Sequence, residues 1–180
     1  ITALSEKLNQ RKKLLDITNQ IHAAQNIKDI LVEYKEGILA LFNALLITIY
    51  VTDKPRNELY SLYLAGSELK EIRLPITNRS IAGFVANAGR GVNIADAYSE
   101  QGFDFSGTKS FDRKTGYRST SLLAVPMRNH ENELIGVLQL INAQDRGSGK
   151  IVPFSPQDQS LLESLASQAA IALTNHLLIQ

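Results

Sequence analysis

The stretch STSLLAVPMRNHENELIGVLQLINAQD, residues 119–145, decides the fold of this chain. Two strongly apolar runs flank the polar turn HENE at residues 130–133. The pattern predicts a β-hairpin, and both arms are apolar enough to lie in the centre of a sheet. Pro126 stands near the end of its strand, where a missing backbone donor costs least.

More strands precede this hairpin. LLITIYVTD, residues 45–53, and LYSLYLAG, residues 59–66, are linked by turn-forming residues and predict a second hairpin. EIRLPI, residues 71–76, predicts a third strand of modest length. SIAGFVANAG, residues 80–89, predicts a short helix with Ser80 as its N-cap and a glycine at its exit.

Helical patterns occupy the two ends of the chain. Apolar residues that recur every three or four positions predict helices over Leu4–Ala24 and Ile27–Phe42. A closing helix is capped by Ser155 and begins at Pro156, after the loop DRGSGKIVP, residues 145–153. Since hairpins join the strands and helices gather at the ends, the predicted fold class is α+β, with helices packed on a largely antiparallel sheet.

Composition and charge are those of an ordinary globular protein. The chain has 180 residues, of which 44% are hydrophobic and 21% charged, with a net charge of +1, and this favours one soluble domain. The densest basic cluster, RKK at residues 11–13, is too small for nucleic-acid binding. No apolar run of about 18 residues and no signal-peptide pattern occurs. We therefore expect a cytoplasmic protein with neither nucleic-acid nor membrane partners.

The residues of the common enzyme sites are missing. The sequence has no cysteine, which excludes disulfides, thiolate nucleophiles and thiol redox chemistry. His22, His130 and His176 are far apart and predict no metal site. There is no recognisable Ser, His and acid series and no glycine-rich phosphate loop. We therefore predict that the chain is not an enzyme.

A long polar excursion precedes the central hairpin. Residues 98–118 are polar, aromatic and glycine-broken, and they predict one or two helical turns and no strand. The excursion ends in the charged stretch FDRKTGYR, residues 111–118, which runs directly into a core strand. Long ordered excursions in compact domains are usually functional. We interpret this one as a roof over a small-molecule pocket.

Three segments in this order carry a family resemblance: SIAGFVANAGRGVNIADAYSE, FDRKTGYRSTSLLAVPM and ELIGVLQLINA. From Ile27 to about Ile179 the chain resembles a GAF domain, particularly those of cyclic-nucleotide phosphodiesterases and adenylyl cyclases. The resemblance implies a GAF/PAS-like, six-stranded antiparallel sheet with helices behind it and a roofed ligand pocket on the other face. It divides the chain into an N-terminal signalling and dimerisation helix, 1–25, and a GAF domain, 26–180, that ends in a C-terminal helix.

The resemblance also implies a set of ligand-binding residues. The helix that starts at Ile81 and Ala82 presents backbone N–H groups suited to an anionic oxygen such as a cyclic phosphate. In the simpler alternatives, Ser80 merely caps a packing helix and Gln139 is an ordinary strand residue. The roof and the strands supply the polar side chains that match the family pattern, which are Thr48, Asp112, Thr115, Ser119 and Gln139.

At other positions the sequence departs from the nucleotide-binding relatives. Leu64 and Ala65 stand where purine-reading relatives carry phenylalanine and aspartate, and Ala143 and Gln159 replace a lysine and a glutamate. Without the aspartate, a base donor would go unpaired at about 1 to 3 kcal/mol. A cyclic nucleotide, cAMP or cGMP, is therefore one candidate ligand among several small metabolites, and no other cofactor is implied.

Two functions are compatible with these features. The first is a non-catalytic, small-molecule-sensing regulatory domain of a larger signal-transduction protein, which forms a homodimer through its N- and C-terminal helices. The chain begins and ends within helical patterns, so we expect neighbouring domains beyond it, including the output domain. The alternative is a ligand-free dimerisation scaffold that assembles through Leu4–Ala24 and Leu161–Leu178.

Overall fold

The computed structural model describes residues 4–5, 7–9, 11–13, 15–16, 35–65 and 68–179, with the backbone alone at 62–65, 68–71, 111 and 175–179. The described residues between Leu4 and Asp16 are helical and exposed. Much of the predicted helix Leu4–Ala24, and Ile27–Tyr34 of the second one, lie outside the described residues. The separate role predicted for residues 1–25 stays a prediction.

The described elements form a helix, three strands, two helices divided by a short strand, a hairpin and a closing helix. The helices are α1 (Lys35–Phe42), α2 (Ile81–Ala88), α3 (Ser106–Thr115) and α4 (Pro156–Ile179). The strands are β1 (Ala44–Asp53), β2 (Glu58–Ala65), β3 (Glu68–Pro75), β4 (Val92–Ile94), β5 (Leu122–Arg128), β6 (Leu134–Gln144) and β7 (Ile151–Val152).

All pairings between these strands are antiparallel, as predicted. The sheet runs in the order β3-β2-β1-β6-β5-β4, which gives the six strands implied by the resemblance, and β7 pairs with β6 as a short seventh strand. The α+β prediction is confirmed. The prediction of a plain loop over residues 145–153 is wrong, because Ile151 and Val152 pair with the end of β6.

The central position of β6 depends on Gly136. A β-carbon at this position would lie 1.9 Å from the carbonyl oxygen of Tyr50 on β1 and 2.7 Å from the Met127 side chain on β5. No side chain fits in that space. Only glycine at position 136 therefore allows β6 to pair with both β1 and β5 at this point of the sheet.

Helices α1 and α4 cover one side of the sheet, which we call the helix face. Its buried core joins Ile49, Leu123, Val125, Leu138 and Leu140 of the strands to Leu162 and Leu165 of α4. Burying each such side chain contributes about 1.5 to 3 kcal/mol relative to leaving it exposed.

The opposite side of the sheet, which we call the pocket face, is also largely buried. Leu122, Ala124, Val137 and Ile141 of β5 and β6 belong to a second apolar cluster there, which includes residues of α2. Strands buried on both faces have few positions for polar residues. This is why the two arms of the central hairpin are almost continuously apolar.

The two predicted ends of α2 and the predicted start of α4 are confirmed. The Ser80 hydroxyl accepts from the Gly83 N–H at 3.0 Å, and Gly89 ends α2 with a φ of 72°. At the start of α4, the Ser155 hydroxyl accepts from the Asp158 N–H at 3.0 Å. The Asp158 carboxylate accepts in turn from the Ser155 N–H at 3.1 Å.

Candidate ligand site

Residues 98–118, the roof segment, contain a helix longer than the predicted one or two turns. Helix α3 spans ten residues and ends at Gly116, which has a φ of 72°. Before α3, Phe103 packs edge-to-face on Phe84 of α2, with ring centroids 5.2 Å apart, and Phe105 is buried. Aromatic contacts therefore fix the segment to α2 ahead of its helix.

A buried carboxylate holds the roof segment together. The Asp112 side chain is 4% exposed, and its oxygens accept from the Tyr98 hydroxyl at 2.7 Å, the Ser119 N–H at 2.9 Å and the Ser119 hydroxyl at 2.8 Å. The hydrogen bond to Asp112 raises the pKa of Tyr98, since the donor must keep its proton. Asp112 thus joins the two ends of the roof segment.

An ion pair and an aromatic contact reinforce this arrangement at the surface. The Arg118 guanidinium carbon lies 3.6 Å from the centre of the Tyr98 ring, and its Nη2 is 3.1 Å from an Asp96 oxygen. The Arg118 hydrogen bond is the main reason that the pKa of Asp96 is lowered. Asn142 on β6 donates to the Arg118 carbonyl at 2.8 Å and accepts from the Thr120 N–H at 2.6 Å. The roof segment is therefore tied to the sheet through Asn142.

The structure brings two of the predicted site residues together on the pocket face. Thr48 on β1 is the register partner of Gln139 on β6, and Gln139 also pairs with Ala124 on β5. Strand alternation places them on the same face as Tyr50 and Val137, which belong to the pocket-face cluster. Both side chains are half-buried, and neither forms a hydrogen bond with another described residue. We call Thr48 and Gln139 the floor pair.

The other predicted site residues lie around the start of α2 and in the roof segment. Ile81 and Ala82 are buried in the first turn of α2. Their N–H groups have no acceptor in the part of the chain that the structure describes. Asp112 lies in the roof segment and binds Ser119, the first residue after that segment, and Thr115 ends α3 with an exposed side chain.

Sequence reasoning missed one polar group, the Tyr117 hydroxyl. Its oxygen is buried and has no hydrogen-bond partner among the described residues. Burial raises the pKa of Tyr117, and the Asn142 side chain, which approaches the hydroxyl without reaching hydrogen-bond geometry, lowers it in part. The sequence gives no signal for this group, because a tyrosine beside a strand is usually an apolar packing residue with its hydroxyl in water.

An open cleft lies between the turn before α2 and the start of the roof segment. It has a volume of about 490 Å³ and is lined by Asn78, Arg79, Gly102, Phe103 and Asp104. None of the predicted site residues is among those that line this cleft.

Among the described residues, no group of three or more His, Asp or Glu side chains is arranged to hold a metal ion. Within the same residues, no helix is both long and apolar enough to cross a bilayer.

Comparisons with known proteins agree with this geometry. The sequence model of the GAF domain matches residues 35–173. The chain is 36% identical over 105 residues to the dual 3',5'-cyclic-AMP and -GMP phosphodiesterase 11A of Takifugu rubripes. That alignment covers 58% of this chain and 11% of the phosphodiesterase, so the chain spans a small part of this relative.

Solved structures with the same fold come from proteins of different kinds. The GAF domain of an Acinetobacter phosphoenolpyruvate-protein phosphotransferase superposes with a TM-score of 0.71 and 18% identity, over 94% of this chain and 96% of that one. A free methionine-R-sulfoxide reductase from Neisseria meningitidis, in complex with its substrate, gives a TM-score of 0.69 and 19% identity, over 95% and 92% of the two chains. At these identities the likeness concerns the fold alone.

Proposed function

Because the chain belongs to the GAF domain family, we propose that it is a non-catalytic regulatory domain that senses a small molecule within a larger signal-transduction protein. The observation that carries the proposal is the floor pair. Thr48 and Gln139 are paired across two central strands on a face whose neighbouring positions are apolar, and they form no hydrogen bond with another described residue. Because both side chains are half-buried, water can reach them in the free protein, and a bound ligand would replace that water with fixed partners.

A cyclic nucleotide, cAMP or cGMP, fits the chemistry of the surrounding groups. The N–H groups at Ile81 and Ala82 and the positive end of the α2 dipole suit an anionic phosphate. The Gln139 amide both donates and accepts, as the edge of a purine requires. The name of the phosphodiesterase relative supports the same ligand class, although the aligned stretch is 11% of that protein.

A regulatory role suits this chain better than catalysis. The similar reductase structure shows that the fold also occurs in enzymes. This sequence has no cysteine, so it cannot form the covalent sulfur intermediates of thiol-based reduction. We propose a cytoplasmic homodimer, joined by its N- and C-terminal helices, that passes the binding signal to an output domain elsewhere in the protein.

A specific observation favours the alternative of a ligand-free dimerisation scaffold. Leu4, Leu8 and Leu15 lie in helical residues at the start of the chain and are 64%, 59% and 61% exposed. Exposed leucines at these intervals are typical of a helix that pairs with another. In this alternative the floor pair has no ligand.

Calorimetric titration of the intact chain with cAMP, cGMP and adenosine tests the sensing function. We expect binding of at least one cyclic nucleotide and weaker binding of adenosine, which lacks the anion. Gln139→Ala should weaken binding roughly tenfold, the loss expected for one hydrogen bond. Gln157→Ala, at an exposed position of α4, is the matched control and should bind like the wild type. No binding of any of these probes by correctly folded protein would contradict sensing of this ligand class.

Sedimentation of the same samples tests the alternative. A dimer that forms without ligand, and that is lost when Leu4, Leu8 and Leu15 are replaced by serine, would support the scaffold. Binding of a cyclic nucleotide together with Gln139 dependence would reject the scaffold as the whole function.

A further inference from the structure

We propose that Tyr117 is a further ligand-binding residue, whose hydroxyl supplies the roof segment's hydrogen bond to the ligand in place of the Asp112 carboxylate. The inference rests on the proposed function and adds to it a residue outside the set derived from the sequence. It also specifies the chemistry on the ligand side. The ligand should place a neutral or anionic acceptor, such as a carbonyl, a ring nitrogen or a phosphate oxygen, within reach of a tyrosine hydroxyl.

The first support is the contrast between Tyr117 and Tyr98. The Tyr98 hydroxyl donates to Asp112 at 2.7 Å, so its hydrogen-bonding capacity is used within the fold. The Tyr117 hydroxyl is buried and has no partner among the described residues. Leaving a buried hydroxyl unpaired disfavours the folded state, and a ligand that accepts its proton would remove that penalty.

The second support is that the neighbouring polar groups already have partners. Both polar atoms of the Asn142 amide are engaged, with the Arg118 carbonyl and the Thr120 N–H. The Asp112 carboxylate receives the two donors of Ser119 in addition to Tyr98. The Asn142 side chain also approaches the Tyr117 hydroxyl, but with its two present contacts in place it does not reach hydrogen-bond geometry.

The third support is the position of Tyr117. Its side chain packs against the pocket-face cluster, to which Leu122 and Ile141 belong. Leu122 and Ile141 are register partners, and the next pair along the same face is Ala124 with Gln139. Tyr117 and the floor pair therefore belong to the same face of the sheet, and we infer that one ligand contacts both.

Asp112 then acts as a positioning residue. Its backbone carbonyl accepts from the Tyr117 N–H at 3.1 Å, and its carboxylate holds Ser119 two residues further on. Asp112 thus fixes the backbone on both sides of Tyr117. The conformational freedom needed just before Tyr117 comes from Gly116, whose φ is 72° and whose missing side chain would point into open space.

Tyr117→Phe tests the inference, because it removes the hydroxyl and keeps the ring. In the free protein we expect a melting temperature equal to or above that of the wild type, since the removed group has no partner. Tyr98→Phe, which removes a hydroxyl that has a partner, should lower the melting temperature. In calorimetric titrations with cAMP and cGMP, Tyr117→Phe should weaken binding roughly 5- to 150-fold, and the control Tyr60→Phe on β2 should leave it unchanged.

Three other outcomes are possible, and each contradicts either the role of Tyr117 or the sensing function. If Tyr117→Phe destabilises the free protein as much as Tyr98→Phe does, the hydroxyl has a structural partner, and the inference fails whether or not a ligand binds. If the wild type binds and Tyr117→Phe binds equally well, the inference fails while the sensing function stands. If the folded wild type binds none of the probes, the sensing function fails and the inference fails with it.

A spectroscopic readout separates a contact from an indirect effect. In protein labelled with 3-fluorotyrosine, the ¹⁹F signal that disappears in Tyr117→Phe belongs to Tyr117. We expect this signal to shift when the cyclic nucleotide that binds the wild type is added. The signal assigned in the same way through Tyr60→Phe should keep its position. A Tyr117 signal that does not move at saturating ligand would overturn the inference.

Discussion

The Asp112 carboxylate accepts two hydrogen bonds from one residue, Ser119, at 2.9 Å from its N–H and at 2.8 Å from its hydroxyl. The two partners are seven positions apart in the sequence, and both are buried. This pair closes the end of α3 onto the start of the central hairpin. It explains why a polar helix can stand directly before a core strand: the helix is held by a buried charge and needs little apolar surface.

Removing the carboxylate should therefore destabilise the fold. Asp112→Ala leaves the Ser119 donors and the Tyr98 hydroxyl without their acceptor, and we expect the free energy of unfolding to fall by about 2 to 4 kcal/mol. Urea denaturation followed by circular dichroism measures this loss. Glu100→Ala, at an exposed site of the same segment, should change stability by less than about 0.5 kcal/mol. Equal stability of the two variants would show that the carboxylate does not hold the roof segment.

Two glycines should respond to alanine in opposite directions. Gly136→Ala places a β-carbon 1.9 Å from the Tyr50 carbonyl, so the contact between β1 and β6 must open and the protein should fail to fold or lose several kcal/mol, about 3 or more. Gly107 lies in α3 with no atom within 4 Å of the added carbon. Gly107→Ala should be neutral or stabilise by up to about 1 kcal/mol. The melting temperatures of the two variants test this difference. An equal fall in both would show that the close approach of β1 and β6 at Gly136 is not what requires glycine.

The parts of the fold that could be predicted from the sequence are those with a local cause. The central hairpin follows from two apolar runs around a polar turn, and the ends of α2 follow from Ser80 and Gly89. The pairing of β1 with β6 is different, because residues about 90 positions apart meet. No local pattern encodes such a pairing, and for it the family resemblance was needed.

The features that were missed depend on tertiary contacts. The sequence predicts only one or two turns for helix α3, because the segment has no apolar stripe; in the structure the Asp112 carboxylate holds a longer helix. Strand β7 has two residues and exists only where it pairs with β6. The Tyr117 hydroxyl becomes notable only once burial and the engagement of Asn142 are known. For the predicted ligand contacts, the sequence indicates residue types, because a side chain's partner is set by tertiary contacts that no local pattern encodes.

Buried tyrosine should make the fold sensitive to alkaline pH. Burial raises the pKa of Tyr50 from 10.0 to about 12, so the folded protein keeps the proton where the unfolded chain loses it. The stability gained from this difference is fully present below pH 10 and is lost as the pH rises toward 12. Two pKa units correspond to about 2 to 3 kcal/mol. Urea denaturation at several values between pH 9 and 12 should show a shallower decline for Tyr50→Phe than for the wild type, whereas parallel curves would mean that Tyr50 ionises freely in the fold.

The floor pair should show a conflict between binding and stability. If Gln139 is kept for a ligand, an apolar residue of similar size packs at least as well against Val137 and Ile141, and Gln139→Leu should leave the free protein equally stable or more stable. The same variant should lose cyclic-nucleotide binding. Gln144→Leu is the matched control at the end of β6, because the Gln144 amide donates to the Gly149 carbonyl at 3.3 Å; this variant should keep binding and lose a few tenths of a kcal/mol, up to about 1. If Gln139→Leu is instead less stable than Gln144→Leu, Gln139 stabilises the fold itself. The floor pair would then give no reason to infer a ligand.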